Sequence, residues 1–407
     1  MDIVKIISII NKSSEIPIII LIIIVILLCA HNFFLYKSLS EQHNRYIEIN
    51  NLNNWISLCQ NKILIRGTLN SSENPKITAL ITIYNSQNFI HTAVRSVQNQ
   101  LFSDIEILIV DDGSTDNSSV VIQNLQNEDK RIKIIKNKRN RGALYAKSIG
   151  ILKALGTFTM ILDSDDLFAN ENIFNICFDE ASKNNIDIIE FSGYNLNSSF
   201  FELDSIPEVP YYLRFKKPNE FIFQPDLSYF IYKKVGENEL KLIDGVLWGK
   251  CIKSSIFKMT LKIVNHKIYR QKINYGDDRI INFILFKVAK SFKYIQEYGI
   301  IYNYNNNSIT HLNSYINHCH DELINIMSIY NYTKNSKDVD IVAFEINFRW
   351  KSIIFPGMNS QNFWNLKKLI NKLLSNKYLV YANRIKLIYL YHNLTESRRL
   401  NLFNMSL

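Results

Sequence analysis

Thr159-Met-Ile-Leu-Asp-Ser-Asp-Asp166 joins a run of apolar and β-forming residues to three acids in its last four positions. The first half predicts a buried strand. Residues two apart on an extended backbone point the same way, so Asp163 and Asp165 can direct their carboxylates to one point. Such carboxylates repel each other unless a cation lies between them, and Mg²⁺ or Mn²⁺ suits oxygen ligands. The alternative is a helix start, with Asp165 or Asp166 as its cap.

Composition and charge limit the possible classes of protein. The chain has 407 residues, of which 47% are hydrophobic, enough for one large domain or two modest ones. A net charge of +10 could suit nucleic acid or an anionic membrane, but no basic block is interleaved with aromatics. We therefore predict no nucleic-acid partner and expect the excess charge to favour solubility and an anionic substrate. The five cysteines are too scattered to predict a zinc site or a disulfide framework.

Residues 16–36 are predicted to form a transmembrane anchor. This segment is apolar except for His31 and Asn32 near its end, and about 20 residues span a bilayer core. It exceeds the apolar region of a typical signal peptide, and no small-x-small cleavage site clearly follows. A buried core helix is the alternative, although the run has no polar face. We expect a short tail at 1–15, the anchor, and a polar stem at 37–75.

The location of the remaining chain depends on this anchor. A short tail before a single anchor is similar to Golgi or endoplasmic-reticulum type II enzymes, with the larger part in the lumen. Lysines flank the anchor on both sides, so they do not decide its orientation. Glycosylation sequons, which a lumenal chain could use, begin at Asn70, Asn197, Asn306, Asn331 and Asn393.

Strand-like and helix-like segments alternate from Lys76 onward. This alternation predicts an α/β fold with a mostly parallel, Rossmann-like sheet flanked by helices and joined by right-handed crossovers. The predicted strands are 77–83, 105–110, 132–135 and 158–162, and the predicted helices between them are 89–100, 119–127 and 143–155. A further helix is expected at 173–183 and a further strand at 187–191.

Polar residues follow three of these strands at the edge where such sheets bind ligands. The clusters are Tyr84-Asn-Ser86, Asp111-Asp-Gly-Ser-Thr-Asp116 and Asp163-Ser-Asp-Asp166. Each cluster alone could be a turn or a helix cap. Together they predict one shared site. The glycine-rich loops of nicotinamide-binding and P-loop proteins are missing, so a metal held by carboxylates is expected to neutralise phosphates.

Five segments of the chain carry a family resemblance: Ile81-Thr-Ile-Tyr-Asn85, Ser96-Val-Gln-Asn-Gln100, Ile107-Leu-Ile-Val-Asp-Asp-Gly-Ser-Thr-Asp116, Asn140-Arg-Gly142 and Leu162-Asp-Ser-Asp-Asp166. Their order and spacing resemble those of glycosyltransferase family 2, whose members have the GT-A fold. The clear resemblance covers about 76–170 and a weaker one continues to about 312. A GT-A domain is therefore expected at 76–312, followed by a helical C-terminal region at 313–407.

The resemblance also implies how a nucleotide-sugar donor would bind. Asp112 would read the nucleobase, Asp163 would lie near the ribose, and Asp165 would be the main metal ligand of the DXD motif. Asp163 would be the second ligand of a Mn²⁺ or Mg²⁺ ion. Further donor contacts are expected from Tyr84, Asn85, Asp111 and Lys147. Lys147 stands where the family usually has Arg, and it could still offer a point charge to a phosphate. Thr82 and Ile83 also depart from the family pattern, which leaves the base open.

The acceptor side is expected near Tyr275-Gly-Asp-Asp-Arg279, where the family's Glu/Asp-Asp motif falls. The resemblance implies that Asp278 is the general base and that Asp277 contacts the acceptor. A helix cap is the simpler reading of one of these acids. Trp248 resembles a family aromatic that could stack on sugar or acceptor, or it is a core residue. His311 could be a third metal ligand or a surface residue.

The implied reaction is an inverting transfer of a hexosyl or N-acetylhexosaminyl group, with a UDP-sugar as the expected donor. The acceptor would be a hydroxyl of a carbohydrate, glycoprotein or glycolipid. Two alternatives remain open: an inactive sugar-nucleotide-binding protein of this fold, and a nucleotidyltransferase. The second should carry a Gly-rich basic loop after the first strand, which this chain lacks.

Overall fold

The computed structural model describes residues 18–61, 72–197, 221–223, 232–234, 240–242, 246–264, 268, 272–304, 321, 324–325 and 328–329. The chain divides into two compact units, Met1–Asn54 and Trp55–Leu407. Most of the helices predicted after residue 313, and His311, lie outside the described residues. The second unit contains every described candidate site residue.

The described helices are α1 (Ile18–Asn61), α2 (Ile90–Gln98), α3 (Ser118–Glu128), α4 (Ala143–Lys153), α5 (Ile173–Lys183), α6 (Ser254–Ile263) and α7 (Asp277–Val288). Within the described part of the chain, we find no helix with both the length and the hydropathy that crossing a membrane requires. The anchor at 16–36 therefore stays a prediction. The helices predicted at 89–100, 119–127, 143–155 and 173–183 correspond to α2, α3, α4 and α5.

The strands are β1 (Ile77–Ile83), β2 (Ile105–Asp111), β3 (Ile132–Lys136), β4 (Phe158–Asp163), β5 (Leu167–Phe168), β6 (Ile188–Asn197), β7 (Phe221–Phe223), β8 (Tyr232–Lys234), β9 (Leu240–Leu242), β10 (Lys250–Lys253) and β11 (Ser291–Tyr304). Nine of them form one sheet in the order β3-β2-β1-β4-β10-β6-β11-β5, with β7 also paired to β11. Strands β8 and β9 pair with each other.

The first half of the large sheet is parallel, as the alternating pattern predicts. Strand β1 pairs in parallel with both β2 and β4, and β2 pairs in parallel with β3. The carboxyl ends of β1, β2 and β4 therefore lie at the same edge. Residues Asp111 and Asp163 are the register partners of Ile83 and Thr82, which places two of the polar clusters next to the end of β1.

The second half makes the sheet mixed, so the prediction of a mostly parallel sheet is wrong for the whole. Strand β10 runs antiparallel to both β4 and β6, and β11 runs antiparallel to β5 and β7 while pairing in parallel with β6. Strand β10 has only four residues, Lys-Cys-Ile-Lys. So short a segment has no readable periodicity, which explains why sequence analysis missed it.

Two apolar clusters cover opposite faces of this sheet. Along β1 the alternation is direct, because Leu80 packs in one cluster and its neighbours Ala79 and Ile81 pack in the other. The Leu80 cluster includes buried residues of α4, α6 and α7, and the other includes residues of α2, α3 and α5. Helices thus flank both faces, as predicted. Helices α4 and α7, which carry Lys147 and the Asp277–Asp278 pair, share one face.

The last turns of α1 belong to the second unit and are not a polar stem. Trp55, Ile56 and Cys59 are all buried, and the indole N–H of Trp55 donates to the Phe168 carbonyl at 2.6 Å. The Asn99 side-chain amide contacts Cys59 Sγ at 4.0 Å. The stem predicted at 37–75 therefore differs from the structure at Trp55, Ile56 and Cys59, which are buried, and Trp55 is hydrogen-bonded to β5.

We expect Trp55→Ala to lower the free energy of unfolding by about 3–5 kcal/mol, because it leaves a large cavity and an unpaired Phe168 carbonyl. Chemical denaturation of the full chain measures this loss. Tyr46→Ala is the matched control on the same helix, since Tyr46 is 64% exposed. Its effect should stay within about 0.5 kcal/mol. Equal effects of the two substitutions would contradict the packing described here.

Candidate active site

The connections after β1 and β2 are tied together by side chains. Asn85 has a left-handed backbone (φ 52°), and its Oδ1 accepts from the Thr115 backbone N–H at 2.9 Å. The Asn85 N–H in turn donates to Ser114 Oγ at 3.0 Å. Asn85 thus serves to join two connections, and Tyr84 beside it is 38% exposed. Both predicted donor contacts, Tyr84 and Asn85, are exposed, and Asn85 already uses its side-chain oxygen to hold the second connection.

Asp111 lies inside its own connection. Its side chain is fully buried, one carboxylate oxygen accepts from the Ser114 N–H at 2.8 Å, and the other accepts from Ser119 Oγ at 2.7 Å. Lys136 Nζ lies 4.0 Å from the same carboxylate. These contacts hold the turn after β2 against the start of α3. The geometry is that of a structural residue, and we assign Asp111 no contact with a donor.

Asp112 joins the β2 end to the start of α4. One of its oxygens accepts from Asn137 Nδ2 at 2.8 Å, and the other accepts from the backbone N–H groups of Arg141 and Gly142 at 2.8 and 2.7 Å. Burial raises the pKa of Asp112, and these three hydrogen bonds oppose that rise. The oxygen facing Asn137 accepts only one hydrogen bond, so a second donor could still reach it.

Gly142 is required by this arrangement. Its φ is 95°, and a side-chain carbon there would lie 2.8 Å from both the backbone nitrogen and the carbonyl oxygen of Ile273. The segment before α7 therefore packs directly against the start of α4. The Leu144 N–H donates to the Ile273 carbonyl at 3.2 Å, and the Ala143 N–H donates to Asn274 Oδ1 at 3.2 Å. These contacts fix the position of α4 relative to α7.

The acidic turn after β4 brings three carboxylates into a small volume. The Asp166 N–H donates to the Asp163 carbonyl at 3.1 Å, which closes the turn. Asp166 is buried, and its carboxylate accepts from the Asn303 N–H at 2.9 Å. Burial and the charge of Asp163 raise the pKa of Asp165 to about 6. Asp163 and Asp165 therefore carry the mutual repulsion that the sequence predicts.

Lys147 lies at the centre of the predicted catalytic residues. Its ammonium nitrogen is 2.7 Å from Asp278 Oδ1, 3.0 Å from Asp277 Oδ2 and 3.3 Å from Asp163 Oδ1. Burial lowers the pKa of Lys147, but the three carboxylates outweigh this effect and raise it well above its ordinary value. The side chain is therefore a permanent cation. It brings acids from the end of β4 and from α7 into one cluster.

Asp277 and Asp278 open α7 behind a left-handed glycine, Gly276 (φ 64°). Asp278 Oδ2 accepts from the Leu247 N–H at 3.1 Å. Burial raises the pKa of Asp277 to about 8, with Asp278 and Asp163 adding to the rise and Lys147 opposing it. Near neutral pH Asp277 is therefore mostly protonated. This proton reduces the repulsion among the three acids that surround the ammonium of Lys147.

Trp248 is placed in the core. It is 8% exposed, belongs to the apolar cluster on the α2 face, and stacks on Tyr302 with ring centroids 5.7 Å apart. This placement agrees with the core alternative and offers little surface to an acceptor. The expected acceptor contact of Trp248 is therefore not supported by its burial.

The chemistry of the acids fits a divalent metal at Asp163 and Asp165. Their oxygen ligands are those that Mg²⁺ and Mn²⁺ prefer, and a cation would offset the repulsion that raises the pKa of Asp165. Among the described residues, no group of three metal-ligating side chains is found. His311, the third ligand considered from the sequence, lies outside that part of the chain.

Sequence analysis missed residues that hold the site from outside the motifs. Asp321 Oδ2 accepts from the Asn274 and Tyr275 N–H groups, and the Asn325 amide donates to the Gly276 carbonyl at 2.9 Å. Both residues come from the predicted helical C-terminal region at 313–407, in which no motif with recognisable chemistry is found. A polar residue that caps a distant loop leaves no local signal, so only the spatial structure could reveal these two.

Solved structures with a similar fold support the assignment of the α/β domain. S. aureus TarS 1-349 in complex with UDP-GlcNAc superposes with a TM-score of 0.55 at 15% identity, covering 80% of this chain and 92% of that chain. The same protein in complex with UDP gives a TM-score of 0.53 at 16% identity and the same coverage. The domain thus has a GT-A-like fold, with acids at the carboxyl edge of its parallel strands.

Residues 78–236 match the family model described as glycosyl transferase family 2. The uncharacterized glycosyltransferase EpsJ of Bacillus subtilis is 26% identical over 58% of this chain and 64% of its own length. A Campylobacter jejuni GalNAc(5)-diNAcBac-PP-undecaprenol beta-1,3-glucosyltransferase is 32% identical over 48% of this chain and 66% of its own length. Residues 78–236 therefore carry a glycosyltransferase family 2 domain, and the chain spans less than two thirds of the length of either relative.

We expect Asp277 to make stability fall as pH rises. The pKa of Asp277 is about 8 in the folded protein, whereas an unfolded Asp titrates near about 3.9. Between these values the folded state binds more protons, so the stabilisation present at low pH is lost as pH approaches about 8. The free energy of unfolding of wild type minus that of Asp277→Asn should decrease with pH, by at most about 1.4 kcal/mol per pH unit.

Urea titrations between pH 5.5 and 8.5 measure this difference. Asp179→Asn, at an exposed position of α5, is the matched control for loss of a carboxylate outside the site. A pH-independent difference between wild type and Asp277→Asn would contradict the proposed protonation of Asp277.

Proposed function

We propose that this chain is an inverting glycosyltransferase that moves a sugar from a nucleotide-sugar, a UDP-sugar first, to an acceptor hydroxyl. One observation carries the proposal. A single buried ammonium, Lys147 Nζ, lies within 3.3 Å of Asp163, on the donor side, and of Asp277 and Asp278, on the acceptor side. Acids separated by more than 100 positions in sequence thus meet where a donor and an acceptor would meet.

The donor assignment rests on Asp112 and on the similar proteins. Asp112 is fixed at the sheet edge, and its oxygen facing Asn137 has one more lone pair, to which an N–H of a pyrimidine base would donate. The similar TarS structure contains UDP-GlcNAc, which supports a UDP-sugar. The similar C. jejuni glucosyltransferase supports a hexosyl group. Tyr84, an exposed aromatic residue directly after β1, would cover the base.

Asp163 and Asp165 would hold Mn²⁺ or Mg²⁺. When bound there, the metal would supply positive charge that stabilises the leaving diphosphate. The chain itself keeps these carboxylates in place. The closed turn from Asp163 to Asp166 and the hydrogen bond of Asp166 to the Asn303 N–H fix the backbone between the two ligands.

Asp278 would act as the general base. In the described arrangement it accepts from Lys147 through one oxygen and from the Leu247 N–H through the other, and each oxygen has a further lone pair. The acceptor hydroxyl would donate its proton to one of these lone pairs as it attacks the anomeric carbon from the face opposite the diphosphate. Asp277, mostly protonated, would orient the acceptor by hydrogen bonding.

The test is a panel of UDP-, GDP- and other nucleotide-sugars, scored for nucleotide release by the full chain with Mn²⁺ or with EDTA. We expect release from a UDP-sugar that EDTA abolishes and that added Mn²⁺ restores. Asp278→Asn should lower turnover by about 10²–10⁴-fold, because a positioned base contributes that much. Asp165→Asn should lower it by weakening the metal site.

Asp179→Asn again serves as the control, since it removes an exposed carboxylate far from any motif. Full turnover by Asp278→Asn would remove the base assignment. Donor binding without turnover by the wild-type chain, across the whole panel, would favour the inactive sugar-nucleotide-binding alternative.

We further propose that residues 16–36 attach the enzyme to a membrane, with the domain on the lumenal side in a Golgi or endoplasmic-reticulum setting. The apolar sequence of this segment supports the proposal. Full-length protein should remain in the membrane pellet after an alkaline carbonate wash. Replacing both Ile23 and Ile26 by Arg should release it, since each Arg costs about 2.5–3.5 kcal/mol at a helix centre. Release of the unmodified protein would reject the anchor.

A further inference from the structure

Lys147 is almost fully withdrawn from solvent, with 4% of its surface exposed. Burying an ammonium is costly unless it is paired and hydrogen-bonded. The partners of a buried lysine therefore indicate its role. Here the partners are three carboxylates from two different elements, at 2.7, 3.0 and 3.3 Å. The pairing is therefore extensive, and it involves only residues that the proposed function uses.

An ammonium has three N–H bonds and no other donor. Lys147 Nζ donates one hydrogen bond, to Asp278 Oδ1 at 2.7 Å, and lies at ion-pair distance from Asp277 Oδ2 (3.0 Å) and Asp163 Oδ1 (3.3 Å), so acids of the chain already surround this cation. A phosphate at Lys147 would have to compete with these three acids for the same ammonium. Because Asp277 and Asp278 are buried, displacing either one would leave a buried acid without its cation, which is unfavourable. This geometry argues against the phosphate contact considered from the sequence.

The position of Lys147 is fixed by contacts of α4 with Asp112 and with the segment before α7. Helix α4 begins at the hydrogen bonds from Arg141 and Gly142 to Asp112, and it contacts the segment before α7 through Ala143 and Leu144. One turn further along α4, Lys147 meets α7 itself. The helix therefore spans from the proposed nucleobase residue to the proposed general base.

We infer that Lys147 is a positioning residue, which holds the general base Asp278 and its neighbour Asp277 at a fixed separation from Asp163. This inference rests on the proposed function, and it replaces the expected donor contact of Lys147. The residue type suits the task. The compact ammonium can be shared among three acids, whereas the planar Arg guanidinium favours a bidentate pair with one carboxylate.

Two quantities separate a positioning role from a phosphate contact: the Kd of UDP with Mn²⁺, measured by calorimetry, and the turnover of the best UDP-sugar of the panel. For Lys147→Met we expect a Kd within about threefold of wild type and a turnover at least about 100-fold lower, since the base is no longer held. Lys147→Arg should recover part of that turnover. A Kd weakened at least tenfold with unchanged turnover would overturn the inference.

Amine rescue adds a readout that a merely structural role would not move. In Lys147→Ala, propylammonium can occupy the vacated space and restore an ammonium, whereas tetramethylammonium has no N–H bond to donate. We expect propylammonium alone to raise turnover at least tenfold without changing the Kd of UDP. Rescue by neither cation, in a variant whose thermal unfolding matches wild type, would overturn the inference.

If Lys147→Met does not fold, Lys147→Met/Asp277→Asn removes one of the carboxylates left without a cation, and the same two measurements are made against Asp277→Asn alone. Failure of the proposed function gives a different result. In that case the wild-type chain itself would show no turnover with any donor, whereas failure of the inference requires an active wild type.

Discussion

One ammonium buried among three carboxylates is the interaction on which the arrangement of the site depends. Without Lys147, two buried acids, Asp277 and Asp278, would lie beside the partly exposed Asp163 with no cation to offset their charges. With it, the strand that ends in the acidic turn and the helix that carries the proposed base are held together. Burial, together with the charges of Asp278 and Asp163, raises the pKa of Asp277, so one proton is kept where one cation meets three acids.

The mixed sheet explains why such a centre can form. Its parallel half delivers the ends of β1, β2 and β4 to one edge, and its second half returns the chain through β10, β6 and β11 so that α7 packs on the same face as α4. Short polar bridges then lock the edge. Asn85 joins the first two connections, and Asp112 joins the second connection to α4. The proposed catalytic residues thus lie on or directly beside regular elements, and side-chain hydrogen bonds help to fix their spacing.

Local patterns predicted much of this and failed at long range. The strands up to Asp163, the helices between them and α5 follow from periodicity, because their faces are buried against one continuous core. The gathering of Asp163 with Asp277 and Asp278 was expected from the resemblance. The roles of Asp111 and Lys147 were not expected. A sequence does not show whether an acid faces a ligand or its own turn, and it does not show how many acids surround a lysine. Strand β10 and the caps from Asp321 and Asn325 are too short or too distant to leave a pattern.

The indole of Trp55 has a practical meaning for anyone who prepares this protein. The segment that matches the family begins at residue 78, yet the carbonyl of Phe168, directly after the acidic turn, takes its hydrogen bond from a residue 23 positions before that start. A recombinant fragment cut to the family boundary would therefore leave an apolar slot open beside β5. The family match begins at residue 78, whereas the compact unit begins at Trp55. A fragment for expression should therefore include Trp55.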